Sequence, residues 1–495
     1  MRLFKIPIVR EILWLSLIFT VVAVARLPKT TFRECDEVVE YTVAQDVSHG
    51  GIPYKTSYDH KGPFLFYLYA PVFKLFGPNI LAPRLFTAFH LSVAMLFMYL
   101  TGRALFPGRL RLLPPAIYGL YSISPNLFMF ESPADLTMML PITVAAFFFF
   151  KYFLPDKHEP KYMFLCGVMV SIGFFIKGSC GATSLAFPIA LLLDRVIRKE
   201  YGWKRLLSEY SILAAGFLVP TALLFIFYYF NGALKELIEG YFLYHTKYIA
   251  ATSNQEASTN LAYLIKHFIN YNPIVVASFF SFILILASGK NFLKQKTTLT
   301  VLSLTVMSVL GIALSGRWSA NYTAQMGLGF SLLIPLGLTS LATNEAVLNR
   351  IARTGVIAGL VLWFPFADID KTFSRDPRSI NNDKIAEYIR ANTTRDDTIF
   401  VFGGDPVIQL LADRKAPLKY FWYLIYVSNR KGLLGLSNET ILKAFDEHKP
   451  KIVVSHVGVI EKTNPRNPAF FLGDYIRRNY VPKFKLGAYI ISTPK

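Results

Sequence analysis

The chain has 495 residues, 53% of them hydrophobic and only 17% charged, and its 52 Lys and Arg outnumber 32 Asp and Glu for a net charge of +20. A soluble globular protein carries about a quarter charged residues, and a basic tail for nucleic acid would sit in polar sequence. Here the bases are embedded in apolar sequence, so neither a disordered chain nor a nucleic-acid partner is expected. Most apolar residues before about residue 370 come in runs long enough to cross a hydrocarbon core of about 30 Å. That predicts a polytopic α-helical membrane protein.

The first run, Ile12 to Ala25, follows a basic start and shows no small-residue cleavage site, so it reads as a membrane helix and not a signal peptide. Further spans are expected at 79–102, 112–130, 135–153, 161–177, 180–194, 209–230, 272–288, 298–315, 321–342 and 354–370, about eleven helices in all. Every second connection is rich in Lys and Arg, for example Arg103 to Arg111, Lys151 to Lys161 and Arg195 to Arg205. By the positive-inside rule these connections face the cytoplasm. The N-terminus then lies inside, while the loops 28–78 and 231–271, the turn 315–321 and everything after 370 lie outside. Within the first outward loop, Gly62 to Gly77 is amphipathic and is expected to lie along the membrane surface. A crossing there would reverse the sidedness of every later loop.

After Lys371 the composition becomes that of a soluble domain. Helical spacing over Asn382 to Ala391, apolar strands at Thr398–Phe402 and Lys451–Ser455, and a helix start at Ser437 to Glu439 predict a small α/β domain. The boundaries expected are therefore 1–370 for the membrane domain and 371–495 for the soluble one. Gly403 and Gly404 read as a strand-to-helix turn, since no further glycine pattern follows. Cys35, Cys166 and Cys180 are too scattered for a disulfide framework or a paired-Cys zinc site and read as packing residues.

Chemistry concentrates in the first outward loop. Glu34, Asp36 and Glu37 repel one another at the point where the chain leaves the membrane, a costly arrangement unless the carboxylates are paired or used. A carboxylate there can act as a general base, hold a metal or orient a hydroxyl. The loop continues through Gly50-Gly51, Pro53-Tyr54, Asp59-His60-Lys61-Gly62-Pro63 and Leu75-Phe76-Gly77 to Arg84. In that order and spacing it resembles the GT-C type membrane glycosyltransferases, the group of the protein O-mannosyltransferases and the lipid A aminoarabinose and galacturonic acid transferases. Asp135, Phe175-Ile176-Lys177-Gly178 and the turn from Gly316 to Tyr322 resemble further elements of that group.

The resemblance implies transfer of one sugar from a polyprenyl-phosphate carrier to a cell-envelope acceptor (glycan, lipid or protein) on the outer face of a bacterial inner membrane. It implies Asp36 as base in an inverting displacement, with Glu37 and Asp135 as further catalytic carboxylates. Lys61, Arg84, Lys177 and Arg317 are implied as donor-phosphate cations, and Tyr54, His60 and Tyr322 as substrate contacts. Departures are present: His60 stands where the aminoarabinose transferases have Glu, and Val39 where they have Arg. A metal site built on that Glu is in question, which leaves Asp59 and His60 as the candidate ligands of a divalent ion and no other cofactor. His90 and His245 read as a helix-packing residue and an ordinary loop contact. The aromatic content, 15%, is explained mainly by interfacial belts, with Tyr54, Tyr58, Tyr67 and Tyr69 as candidates to line a groove. Two rivals stand beside this reading, a transporter or lipid flippase and a catalytically dead carrier-binding relative. The former would place ionisable residues in mid-span and repeat its halves, whereas these gather at outward helix ends.

Overall fold

A computed structural model describes residues 7–26, 35–123, 133–199, 202–247, 273–314, 320–341, 377–428, 436–460 and 469–495, with 347, 350 and 354 singly. The helices before residue 342 are α1 (Pro7–Arg26), α2 (Cys35–Ser48), α3 (Pro63–Phe76), α4 (Leu81–Leu105), α5 (Leu113–Ser122), α6 (Pro133–Phe153) and α7 (Pro160–Phe174), followed by α8 (Cys180–Arg198), α9 (Trp203–Phe230), α10 (Pro273–Ala287), α11 (Lys296–Leu314) and α12 (Met326–Leu341). Of these α4, α6, α8, α9 and α11 are long and apolar enough to cross a membrane. In α1 only Glu11–Val24 is apolar, the other apolar helices are shorter, and the span expected at 354–370 lies almost wholly outside the described residues. Helix α9 leaves Leu207, Leu218, Leu223 and Phe230 exposed along its length. In a bilayer that surface meets lipid at no cost.

Small residues let the spans approach closely. Where α7 crosses α9, a Cβ on Gly216 would overlap the carbonyl oxygen of Phe164, and one on Gly167 that of Leu213. Van der Waals packing drives helix association in lipid, and glycine is what permits it here. Several basic residues of the predicted cytoplasmic connections are paired internally. Buried Glu209 accepts from Tyr152 Oη at 3.0 Å and Arg195 Nη2 at 3.1 Å and pairs with Arg205 at 3.3 Å. Arg111 pairs with Glu11, and Arg198 with Asp194 at 2.7 Å. Cys166 and Cys180 are buried and unbridged, and His90 bonds the Phe86 carbonyl one turn back at 2.8 Å, both as packing roles require.

The chain divides into two compact units. The first comprises 1–27, 84–226 and 252–369; the second joins 28–83 and 227–251 to the residues from Asp370 onward. The C-terminal residues thus share a unit with segments of the two long loops read as outward-facing.

In the second unit α13 (Pro377–Asn392) precedes β1 (Ile399–Phe402), α14 (Val407–Ala412), α15 (Tyr423–Ser428), α16 (Asn438–Glu447), β2 (Ile452–His456), α17 (Phe470–Asn479), β3 (Tyr480–Leu486) and β4 (Tyr489–Pro494). The sheet order is β1-β2-β4-β3. β1 and β2 are parallel, with Ile399 opposite Ile452, and β4 runs antiparallel to both β2 and β3. The parallel pair is fully buried along β1, consistent with its unbroken Ile-Phe-Val-Phe run. Ser437 caps α16 as expected, its Oγ accepting from the Thr440 N–H at 3.2 Å. The β3–β4 hairpin was not expected: β3 carries Lys483 and Lys485 and is exposed over most of its length, the charged edge that blunts further pairing. Gly403 turns the chain at φ 67°, where a side chain would meet Val459.

Candidate active site

The second unit gathers the loop chemistry around Lys61. Helix α2 sets Asp36 and Glu40 one turn apart on one face, and Asp59 lies two residues before the lysine. Lys61 Nζ is 3.3 Å from Glu40 Oε1, 3.4 Å from Asp36 Oδ2 and 3.8 Å from Asp59 Oδ2. One ammonium therefore faces three carboxylates. Glu40, Asp59 and Lys61 are buried, but the Asp36 side chain keeps 44% of its surface. Glu37 is buried beside it. Burial works to raise the Asp59 carboxyl, but the charges of Lys61 and His60, with hydrogen bonds from His60, hold it well below the usual carboxylate range.

Three further features fix this cluster. Asp46, near the end of α2, accepts from Thr56 Oγ1 at 2.5 Å and Ser57 Oγ at 2.7 Å, pulling the turn back onto the helix. Gly51 lies so close to that carboxylate that a Cβ would overlap it. Tyr54 adopts φ 69°, a left-handed conformation that costs a non-glycine residue about 1–2 kcal/mol. Its ring is fully buried, and its hydroxyl donates to the Lys61 carbonyl at 2.5 Å. The Tyr54 carbonyl in turn accepts from Lys419 Nζ at 2.8 Å, and the Tyr58 N–H donates to the Lys419 carbonyl at 2.9 Å. Lys419 and Tyr54 together hold the backbone from which Lys61 projects.

The segment after α9 closes the cluster from another side. A short helix (Leu234–Leu237) runs into a π-helical turn (Ile238–Leu243), a rare element that often marks functional sites. It delivers Tyr244 and His245 to His60, with ring centroids 5.5 and 5.8 Å away. Burial first, then the neighbouring His60, hold His245 down to about 4, although its bond to the Tyr241 carbonyl at 2.5 Å opposes this. His245 is thus a neutral ring packed on His60 and not an ordinary loop contact. His60 Nδ1 lies 3.0 Å from Asp59 Oδ1. Tyr58 and Tyr69, like Tyr54, are buried in the unit's interior and do not line an open groove.

A divalent ion does not fit Asp59 and His60 as a site. Asp59 is already engaged by His60 and Lys61, and among the described residues no three His, Cys, Asp or Glu side chains converge to complete a ligand set. No step is routed through a metal.

The first unit holds a separate cluster. Asp135 is fully buried at the start of α6 and pairs with Lys177, just past α7. Asn321 Nδ2 donates to the other Asp135 oxygen at 2.9 Å, and the Lys177 ammonium lies 4.2 Å from the centre of the Tyr322 ring. The expected Asp135, Lys177 and Tyr322 are thus brought together, with Asn321 added. Arg84 is buried in this unit, on α4. Arg317 lies outside the described residues, as does Glu34. Glu40, Tyr244 and Lys419 were missed as site residues. Glu40 had a signal, its position one turn from Asp36; Lys419 had none.

The fold matches, over 97% of this chain and 97% of the other, the crystal structure of ArnT from Cupriavidus metallidurans bound to undecaprenyl phosphate, with a TM-score of 0.67 at 12% sequence identity. The apo form of that protein matches with a TM-score of 0.65 at 13% identity and the same coverage. This chain has the GT-C fold. Residues 60–234 match the dolichyl-phosphate-mannose-protein mannosyltransferase family, a stretch of the GT-C scaffold from His60 to the end of α9 and just beyond. No curated protein matches the chain by sequence. The GT-C fold and its membrane-embedded helices are those the loop motifs implied, and nothing in the comparisons favours a transporter.

Proposed function

We propose that this protein is a glycosyltransferase that moves one sugar, a hexose or pentose, from a polyprenyl-phosphate donor to a cell-envelope glycan, lipid or protein. The reading places the reaction on the outer face of a bacterial inner membrane, with the N-terminus cytoplasmic and the second unit periplasmic. The observation that carries it is the exposure of Asp36, alone among the three carboxylates on Lys61, in a chain with the fold of a protein solved with undecaprenyl phosphate.

The chemistry follows from that geometry. The acceptor O–H gives its proton to Asp36 as its oxygen bonds the anomeric carbon from the side opposite the phosphate. The sugar–phosphate C–O bond breaks, and its electron pair goes to the phosphate oxygen. When Asp36 takes the proton, Lys61 loses one counter-charge just as the departing phosphate gains charge, so proton transfer and leaving-group stabilisation reinforce one another. Glu37, being buried, supports the helix start and does not compete as base. The reading assigns Asp135 and Lys177 to architecture, because each neutralises the other away from solvent. Within the unit of Lys61, His60 is the proposed sugar contact.

Asp36→Asn, assayed in membranes with a polyprenyl-phosphate sugar, should lower the rate by about 10²–10⁴ while the protein still inserts and binds carrier. Near-normal product from that variant overturns the base assignment. A cysteine placed at Asn438 should react with an impermeant reagent from the outside; labelling from the cytoplasm alone overturns the sidedness.

A further inference from the structure

Away from Lys61, the far ends of α2 and α3 enclose a second cavity within the same unit. It has a volume of about 180 Å³ and is lined by Gln45, His49, Phe73, Lys74 and Arg395, with Gly77 and Pro78 at its rim. That is room for about six waters at about 30 Å³ each, or for a tetrahedral anion and its hydration. Its polar groups are predominantly donors. Lys74 is exposed and has no ion-pair partner among the described residues. Gln45 is 4% exposed, and its Nε2 has no hydrogen-bond acceptor among the described residues. An unmatched buried donor of this kind costs about 1–3 kcal/mol, which an incoming acceptor would recover.

Arg395 and His49 are tied in place by a single carboxylate, Asp413, through bonds of 2.9 Å each. Asp413 balances the arginine, so the Lys74 charge is left in excess. The residues next to Lys74 give the ligand its class. Leu75 and Phe76 are 76% and 66% exposed at the end of an otherwise apolar helix. Two large bare apolar side chains beside a cationic, donor-lined cavity suit an amphiphile with an anionic head.

We propose that this cavity binds the phosphate of an anionic phospholipid, with Lys74 and Gln45 Nε2 on the phosphate oxygens, Arg395 flanking them and the acyl chains running over Leu75 and Phe76. The site is distinct from the Asp36–Lys61 cluster and does not depend on the transferase reading.

The test is native mass spectrometry of the full-length protein in neutral detergent, titrated with phosphatidylglycerol. The wild type should retain a tight lipid. Lys74→Gln should weaken that lipid about fivefold, the effect of about 1 kcal/mol per basic residue at a lipid surface. Gln45→Met, which keeps the side-chain volume, should weaken it comparably. Lys443→Gln, an exposed change on α16, should leave it unchanged. Unaltered retention in both Lys74→Gln and Gln45→Met overturns the site, provided their melting temperatures match the wild type. Displacement of the lipid by inorganic phosphate at equal concentration overturns the lipid assignment, because the acyl chains would then contribute nothing.

Discussion

Among the described residues each unit pairs a buried lysine with carboxylates, Lys177 in the first and Lys61 in the second, and the two clusters differ in what they leave open. Around Lys177 there is, among the described residues, one carboxylate, fully buried, whose second oxygen is taken by Asn321 and whose lysine is faced by Tyr322. Around Lys61 there are three carboxylates, and one of them, Asp36, remains exposed. A buried pair with every partner satisfied resists change in either member. A cluster with surplus negative charge and one open carboxylate has a group that can take up a proton while the others hold the lysine. Similar residue types therefore read as framework in one unit and as a reactive centre in the other, and accessibility makes the difference.

Removing one aspartate from each cluster should separate the two most strongly. Asp135→Ala strands a buried ammonium and should cost about 3–5 kcal/mol, read as a lower melting temperature in detergent. Asp135→Leu combined with Lys177→Met should recover most of that loss. Asp36→Ala should leave the melting temperature nearly unchanged, and equal losses at the two aspartates would erase the distinction drawn here.

A pH titration of stability probes the Lys61 side next. Because the folded protein holds His245 at about 4 against about 6.5 when unfolded, the unfolded chain binds the extra proton first as the solution is acidified. The contribution of His245 is complete above about pH 6.5 and is lost progressively down to about pH 4, on the order of 3 kcal/mol in all. His245→Gln should flatten that part of the profile. A slope that survives the substitution places the titrating group elsewhere.

Smaller effects sharpen the account of how Lys61 is held. Lys419→Met removes a charge-assisted bond to the Tyr54 carbonyl, of a kind that contributes about 1.5–3 kcal/mol. It should lower kcat about tenfold, for a loss of 1.4 kcal/mol at the transition state, with Lys419→Arg partly restoring it. Tyr54→Phe loses one neutral acceptor–donor pair, about 1 kcal/mol, and should shift kcat less than Lys419→Met does. The reverse order would mean that the bond from Lys419 does not act through the tyrosine.

Local features were legible from sequence, and long-range ones were not. Helix α3 falls between Gly62 and Gly77 because proline starts it and a glycine with φ 66° ends it, signals carried by single residues. The β1 and β2 strands and the Ser437 cap were readable for the same reason. The order of acidic and basic residues from Asp36 to Lys61 marked, through its resemblance to GT-C enzymes, the segment whose carboxylates gather on Lys61. Tyr54 is different: nothing in Pro53-Tyr54-Lys55 announces a left-handed residue, since a glycine would normally occupy that conformation. The bond holding it comes from 365 residues away, a separation at which no local pattern operates. The hairpin of β3 and β4 escaped notice because Pro482 demotes a strand and only Lys483 to Leu486 alternate, a run of four residues. Asn321 and Asp135, 186 residues apart, meet only through the packing of the spans.

The reach from Lys419 to Tyr54 has a consequence for how the protein is made. Lys61 emerges from the ribosome early, with most of the membrane helices still to be synthesised, whereas Lys419 follows all the described spans. A nascent chain already threaded into the bilayer therefore carries every residue of the Lys61 cluster without the brace that sets its backbone. A copy that stops short of Lys419 lacks that bond, and under the proposed transferase reading it should turn over more slowly than the 495-residue chain.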